Sequence, residues 1–277
     1  MSNNIRQNQG GYPQLLTASV DTRGMKGAKF SSEEREKMYV DTLNYYISLF
    51  TKNKTYQEII FVENSGWDLN RFREKIHESN FISVEYQSLD PSIFNQTKGK
   101  SYNELLLIQI AITKSEFIQD AKCFVKLTGR FPIANLDKIL LELQKRGGKR
   151  LEFFGDCKDH KVYDWLRMPI NGHSGESRFY FMTLDFWNKY FADCYMKLND
   201  YDGDNIEKFL LQLKRKTYGE KNVIWRLRVQ PHFTGKGGHN LGYGPAFFYS
   251  TDQDSSVLRF KRSIRQLLRW SAPWWWC

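Results

Sequence analysis

Residues 124–132 read FVKLTGRFP, and two cations, Lys126 and Arg130, bracket the end of what reads as a strand. Arginine pairs bidentately with phosphate and lysine acts as a point charge. Gly129 between them permits a tight turn or a close backbone approach. In open α/β sheets, ligands bind at the carboxyl edge of the strands. The stretch therefore predicts an anion site, most simply for phosphate. The plainer alternative is a turn with a solvated arginine.

Other stretches hold further candidates. In ENSGWD, which follows an apolar run, Glu63 and Asn64 could bond a ribose or a base edge. In TKGKSYNEL, Lys98 and Lys100 flank Gly99 before a helix, whose free N–H groups attract anions. Ser101 and Glu104 there have capping-box spacing. The GKS triplet lacks the upstream glycine of a Walker loop. In DGDNIEKFLLQLK, Asp202 and Asp204 fit helix caps better than a metal pair. Glu207, in the first turn, is either a general base facing a cleft or a solvated side chain. The glycine-rich HFTGKGGHNLGYG reads as a loop that closes over a ligand, carrying His232, Lys236 and His239. His173 and Glu176 in NGHSGESRF form a polar loop of acceptor-site character.

These groups need a frame. QLLTASV, QEIIFVE, FISVEYQSL, CFVKLTG and RLEFFG read as strands. Helices alternate with them: SSEEREKMYVDTLNYYISLF, begun by a Ser31–Glu34 capping box and lined by Met38, Leu43, Tyr46, Ile47 and Phe50; DLNRFREKIHES, capped by Asp68; SYNELLLIQIAITKS; and IANLDKILLELQKR. The alternation argues α/β with a parallel sheet and helices on both faces. Later come a strand (SRFYFMT), two helices (LDFWNKYFADCYMKL, NIEKFLLQLKRK) and a strand (NVIWRLRVQ). The expected partition is a disordered N-terminus (1–12), a nucleotide-binding α/β half (13–155), an acceptor-side half of the same domain (156–250) and a basic-aromatic tail (251–277).

The chain has 277 residues, 41% hydrophobic and 16% aromatic, with net charge +10 and pI ≈ 9.3. That fits one large domain and favours phosphates, polyanions or an anionic membrane surface. In the tail, Arg259, Lys261, Arg262, Arg265 and Arg269 interleave with Leu258, Phe260, Ile264, Leu267, Leu268 and Trp270, ahead of Trp274, Trp275 and Trp276. This predicts an amphipathic helix on an anionic membrane, each cation contributing roughly 1 kcal/mol. The alternative is a helix packed on the domain with a basic outer face. No stretch reaches the roughly 20 apolar residues of a membrane span, and the polar N-terminus predicts no export, so a cytoplasmic protein is expected. Cys123, Cys157, Cys194 and Cys277 form no C-x-x-C pair, which argues against structural zinc. Dispersed cations and no helix-turn-helix, RNP or zinc motif argue against a nucleic-acid partner. A nucleotidyltransferase would need a glycine-rich phosphate loop, which DTRGMKG matches weakly.

Taken together, ASVDTRG, IIFVENSGWDL, GKSYNELLLI, FVKLTGRFPIAN and NIEKFL resemble bacterial glycosyltransferases of O-antigen and capsule clusters, with the GT-A nucleotide-sugar-binding fold. The resemblance implies sugar transfer from a nucleotide donor to a lipid-linked or polysaccharide acceptor. It places Val20, Asp21, Arg23, Glu63 and Asn64 on the donor, with the helix entered through GKSYNE beside it; joined to the residue reading above, this makes Lys100, Gly129, Lys236 and His239 further donor contacts, and Glu207, Arg130 and Lys126 the catalytic set. Many relatives carry a D-x-D for Mn²⁺ or Mg²⁺ at the end of the fourth strand, where this chain has Thr128-Gly129-Arg130. Transfer without a metal is therefore expected, with fixed cations stabilising the leaving group. Asp156, Asp202 and Asp204 are the remaining possible ligands.

Overall fold

The computed structural model describes residues 11–23, 28, 30–160, 164–167, 172–236, 248–249 and 256–271. Seven strands form one sheet: β1 (Gln14–Ala18), β2 (Gln57–Glu63), β3 (Ile82–Ser88), β4 (Cys123–Thr128), β5 (Phe153–Asp159), β6 (His173–Thr183) and β7 (Val223–Ile224), in the order β3-β2-β1-β4-β6-β5-β7. All direct pairings are parallel except those of β6, which runs antiparallel between β4 and β5. The mostly parallel α/β sheet flanked by helices is thus present. The reversed β6 was not legible, because an apolar run carries no direction.

Both faces of the sheet are covered, which is why the strands are apolar in runs rather than in alternation. On one face Leu16, Phe61, Val125 and Leu127 pack against α1 (Ser32–Lys52) and α2 (Leu69–Arg73). On the other, Leu15, Ile60, Val62 and Phe124 pack with α3 (Lys100–Lys114) and its neighbours. α4 (Glu116–Ala121) leads from α3 into β4. α1 starts at the expected capping box, with Ser31 and Glu34 bonding reciprocally. α2 ends after five residues, well short of the helix read from the sequence. Tyr12 packs edge-on against Phe181 at 5.3 Å.

The crossovers set the site. β1 passes to β2 through α1 on one face, and β3 passes to β4 through α3 on the other. The carboxyl ends of β1 and β4 therefore diverge into a crevice, the switch point where such sheets bind ligands. β1 and β4 themselves lie very close there. A Cβ on Gly129 would stand 2.7 Å from the Thr17 carbonyl oxygen and 2.9 Å from the Tyr39 ring, so only glycine fits.

The remaining helices are α5 (Leu136–Arg146), α6 (Leu184–Tyr190), α7 (Ile206–Lys216) and α8 (Ser256–Ser271). β5 crosses the expected boundary at residues 155/156, and both halves share one sheet. NVIWRLRVQ gives only the two-residue β7. Its continuation is held instead by Glu142 of α5, which accepts from the Arg228 and Val229 amides at 2.8 and 2.6 Å.

α8 docks on this segment through its polar side. Gln266 bonds Gln230 N and Arg228 O, and the buried Arg269 reaches Leu227 O at 2.9 Å and Asp156 Oδ2 at 2.7 Å. Phe260, Ile264, Leu267 and Trp270 are left 66%, 42%, 61% and 68% exposed. The helix thus packs on the domain and also shows solvent these four apolar side chains. Trp274, Trp275 and Trp276 lie outside the described residues.

Candidate active site

The crevice is lined by Thr17, Ala18 and Ser19 after β1, Thr128, Arg130 and Phe131 after β4, Asn64 after β2, Lys100 and Glu104 of α3, Arg35 and Tyr39 of α1, and Arg178 of β6. Its cavity volume is about 120 Å³. Four cations and one carboxylate face it.

Arg130 is the cation with spare capacity. Its Nη1 is buried without a hydrogen-bond partner, and it forms no ion pair among the described residues. Its guanidinium lies 5.2 Å from the Phe131 ring centre. A buried guanidinium nitrogen left unpaired is costly unless a ligand completes it. Lys100, 45% exposed, stands 3.6 Å from Glu104 Oε2, and the Glu104 charge raises its pKa. Arg35 is buried and serves the wall, donating to the Ser19 and Val20 carbonyls. Burial lowers its pKa and the charge of Arg130 adds to that, so the two guanidiniums face one space. Arg178 is held by Glu176 and lies 3.9 Å over Phe233.

Lys126 does not face the crevice as expected. Its ammonium is buried beneath it, 2.5 Å from Glu104 Oε1 and 2.7 Å from the Ser177 carbonyl oxygen. Burial alone would raise the pKa of Glu104, but Lys126 and Lys100 together bring it to about 2. The Ser177 carbonyl is available because β6 is irregular. Gly155 pairs with Tyr180 but Cys157 with Gly175, so extra β6 residues bulge between these pairs. Bulges re-aim side chains, and this one brings Arg178 to the crevice.

The expected box at Ser101 and Glu104 does not form. α3 begins one residue earlier, after Gly99 at φ +84°, and Asp200 Oδ2 accepts from the Ser101 amide at 2.9 Å. Ser101 Oγ in turn accepts from Ile206 N, the first residue of α7, at 3.1 Å. The start of α3 is thus satisfied by Asp200, in the 3-10 turn that precedes α7, and α3 in turn satisfies the first N–H of α7. A Cβ on Gly99 would meet Asp200 at 2.7 Å. Released from capping, Glu104 turns toward the crevice.

Glu63 does not face the crevice either. It is buried and accepts from Val20 N, Ser65 N, Ser65 Oγ and Trp67 N, tying the loops after β1 and β2 together. Asp21 and Arg23 are pinned to the same loop, with Asp21 N on Ser65 Oγ and Arg23 Nη2 on Ser65 O. Asn64 does line the crevice. Glu207 stands just outside it, accepting from Ser177 Oγ at 2.8 Å and raising the pKa of Lys100.

The other candidates lie elsewhere. His173, five residues before Arg178 and on the other side of the β6 bulge, is clamped between Asp159 and Asp164 at 2.8 Å each. Asp164, then Asp159, raise its pKa against the pull of burial. Asp159 is also held by Lys214 and Arg215. Asp202 accepts from Asn199, Asp204 pairs with Lys208, and the cap of α7 is Asn205 rather than either aspartate. Asp156 is committed to Arg269. Lys98 sits in a short 3-10 turn off the crevice. Lys236 lies in the two-residue strand β8 (Gly235–Lys236), paired with β9 (Phe248–Tyr249). His239 and most of DTRGMKG lie outside the described residues.

The donor set does not fit a divalent cation on a diphosphate. Among the described residues lining the crevice, Glu104 is the single carboxylate, and two lysines already claim it. No group of three or more potential metal ligands occurs among the described residues. Arg35, Arg178 and Glu104 were not singled out as site residues in the sequence. Their signal, one charged residue on an otherwise apolar helix face or strand, was present but belongs equally to surface residues.

No protein-family model matches the chain, and no curated protein matches it in sequence. Solved structures do show likeness. The bifunctional glycosyltransferase WbbM in its apo form is 10% identical over 78% of this chain, at a TM-score of 0.44, and this chain spans only 38% of it. The galactosyltransferase LgtC with donor and acceptor sugar analogs is 11% identical over 77% of this chain and 73% of its own, at 0.45. Core-mannan synthase A from Aspergillus fumigatus in its Mn/GDP form is 10% identical over 86% and 80%, at 0.44.

Proposed function

We propose that the protein is a GT-A-like glycosyltransferase that moves a sugar from a nucleotide-sugar donor to a lipid-linked or polysaccharide acceptor in surface polysaccharide (O-antigen or capsule) biosynthesis, without a metal. The observation that carries this is the unpartnered, buried Nη1 of Arg130 in a crevice at the β1–β4 switch point. Arg130 and Lys100 take the diphosphate, supplying fixed charge where it develops on the leaving group. Asn64 takes the nucleoside side. Lys126 acts indirectly, by fixing Glu104. Lys236 and His239 close on the donor from the glycine-rich loop, and Glu176 and His173 lie toward the acceptor.

Glu207 removes the proton of the acceptor hydroxyl, whose oxygen attacks the anomeric carbon in line. The bond to the diphosphate oxygen breaks, and the nucleoside diphosphate leaves with the electron pair, inverting the centre. Glu207→Gln keeps donor binding and lowers transfer by about 10²-fold or more. An unimpaired variant removes Glu207 as the base.

The test is calorimetry and transfer assays with nucleotide sugars in excess EDTA. Binding and turnover are expected to persist. Loss on chelation with recovery on Mn²⁺ would overturn the metal-free reading.

The exposed stripe of α8 supports peripheral association with the anionic cytoplasmic face of the membrane. Phe260, Leu267 and Trp270 suit the headgroup boundary. Leu267→Asp with Trp270→Ser should abolish cosedimentation with phosphatidylglycerol vesicles and leave the melting temperature unchanged. Undiminished cosedimentation would rule the stripe out.

A further inference from the structure

Two groups in the crevice are left incomplete, and they have opposite character. One is Arg130 Nη1, a buried donor. The other is Glu104 Oε2, a buried acceptor with no hydrogen-bond partner. The two oxygens of Glu104 are used unequally. Oε1 takes Lys126 at 2.5 Å and Thr17 Oγ1 at 3.2 Å. Oε2 has only Lys100 Nζ, at 3.6 Å, beyond hydrogen-bond reach.

An ionised carboxylate can only accept. Its missing partner is therefore a cation or a hydrogen-bond donor, and with Lys126 and Lys100 already balancing its charge a neutral hydroxyl or N–H fits better than a further cation. It cannot be phosphate, which is itself an acceptor and anionic. A ligand that completes both groups must carry an anion and a hydroxyl close together. A sugar joined to a diphosphate does. Neighbouring side chains do not offer an alternative anchor on α3: Asn103 is committed to Asn95 and Gly99.

We infer that Glu104 is a specificity-determining residue that holds a hydroxyl of the transferred sugar through Oε2, while Arg130 holds the adjoining phosphate. This rests on the donor assignment made above. Lys126 is then the positioning residue that fixes the Glu104 rotamer. A site built around a buried acceptor discriminates strongly against a sugar that lacks the matching hydroxyl, because the acceptor would stay unpaired.

The experiment compares each bare nucleotide with its sugar conjugates by calorimetry: UDP against UDP-glucose and UDP-galactose, GDP against GDP-mannose, dTDP against dTDP-rhamnose. The proteins are wild type and E104L/K126M. Both partners are changed because an apolar pair of similar volume commonly replaces a buried ion pair without loss of folding. E104Q/K126M, which keeps an acceptor oxygen, serves as the second variant if the first does not fold.

Wild type is expected to bind at least one sugar conjugate more tightly than its bare nucleotide. E104L/K126M should lose about tenfold or more of that gain, read as the ratio of conjugate to bare-nucleotide affinity within the same variant, so that any change in the diphosphate contact of Lys100 cancels. E104Q/K126M should retain part of the gain. An undiminished gain in a folded variant, or no gain with any conjugate in wild type, overturns the role of Glu104. Absence of all nucleotide binding in wild type instead overturns the donor assignment itself, and the two failures are distinct.

Discussion

Arg130→Ala lowers nucleotide-sugar affinity by about 10- to 100-fold and leaves the melting temperature within a degree or two of wild type. Hydrogen bonds to a charged group contribute roughly 1.5–3 kcal/mol, and each 1.4 kcal/mol is a factor of ten. The fold should not suffer, because Arg130 forms no ion pair among the described residues and its Nη1 bonds nothing. Truncation removes an unsatisfied group together with one ring contact, to Phe131 at 5.2 Å, and the two effects offset each other. Titration of UDP and GDP conjugates into both proteins gives the affinity, and thermal unfolding without ligand gives the control. Unchanged affinity would mean that the crevice binds its anion elsewhere, or binds none.

Lys126→Met has the opposite profile, a large loss of stability. It leaves the buried Glu104 in the crevice wall with only Lys100, at 3.6 Å and half-exposed, to offset its charge. Breaking one side of a buried pair costs about 3–5 kcal/mol. For a chain of this size that lowers the melting temperature by on the order of 10 °C. E104L/K126M should recover most of the loss, and the double-mutant cycle then reports the coupling directly. A neutral single variant would show that water or local rearrangement satisfies Glu104, and that the pair is not structural.

The same pair has an acid signature. The carboxyl of Glu104 titrates at about 2 in the fold, against 4.5 as its ordinary value. A depressed carboxylate pKa contributes stability that is fully present above pH about 4.5 and is lost as pH falls through about 2. In urea titrations across that window, Lys126→Met should show a shallower acid slope than wild type.

The outline of the fold was legible because buried strands such as IIFV are apolar without interruption, and helices such as IEKFLLQLK alternate at the helical period. Local capping was legible where both partners are local, as at Ser31 and Glu34. It failed at Ser101, whose helix is capped by Asp200, ninety-nine positions on. Arg130 reached the strand edge predicted for it. Lys126, two pleats earlier on the same strand, did not, because the β6 bulge offers its ammonium a carbonyl and Glu104 offers a carboxylate. Glu63 and Asp156 show the same limit. Residue type marks each as chemically capable, but whether a carboxylate is free depends on which distant donors reach it first.

The shared terminus of α3 and α7 has a consequence for inheritance. Asp200 serves a helix of the first half, and Ser101 serves a helix of the second. Neither half is therefore a transferable cassette. A recombinant that brought in a foreign stretch around residue 200, without an acid there, would leave α3 uncapped beside Lys100, the residue to which the donor diphosphate is assigned in our proposal. Exchange of acceptor preference between such chains should then proceed through loops and point changes, and crossovers that part residue 101 from residue 200 should be selected against.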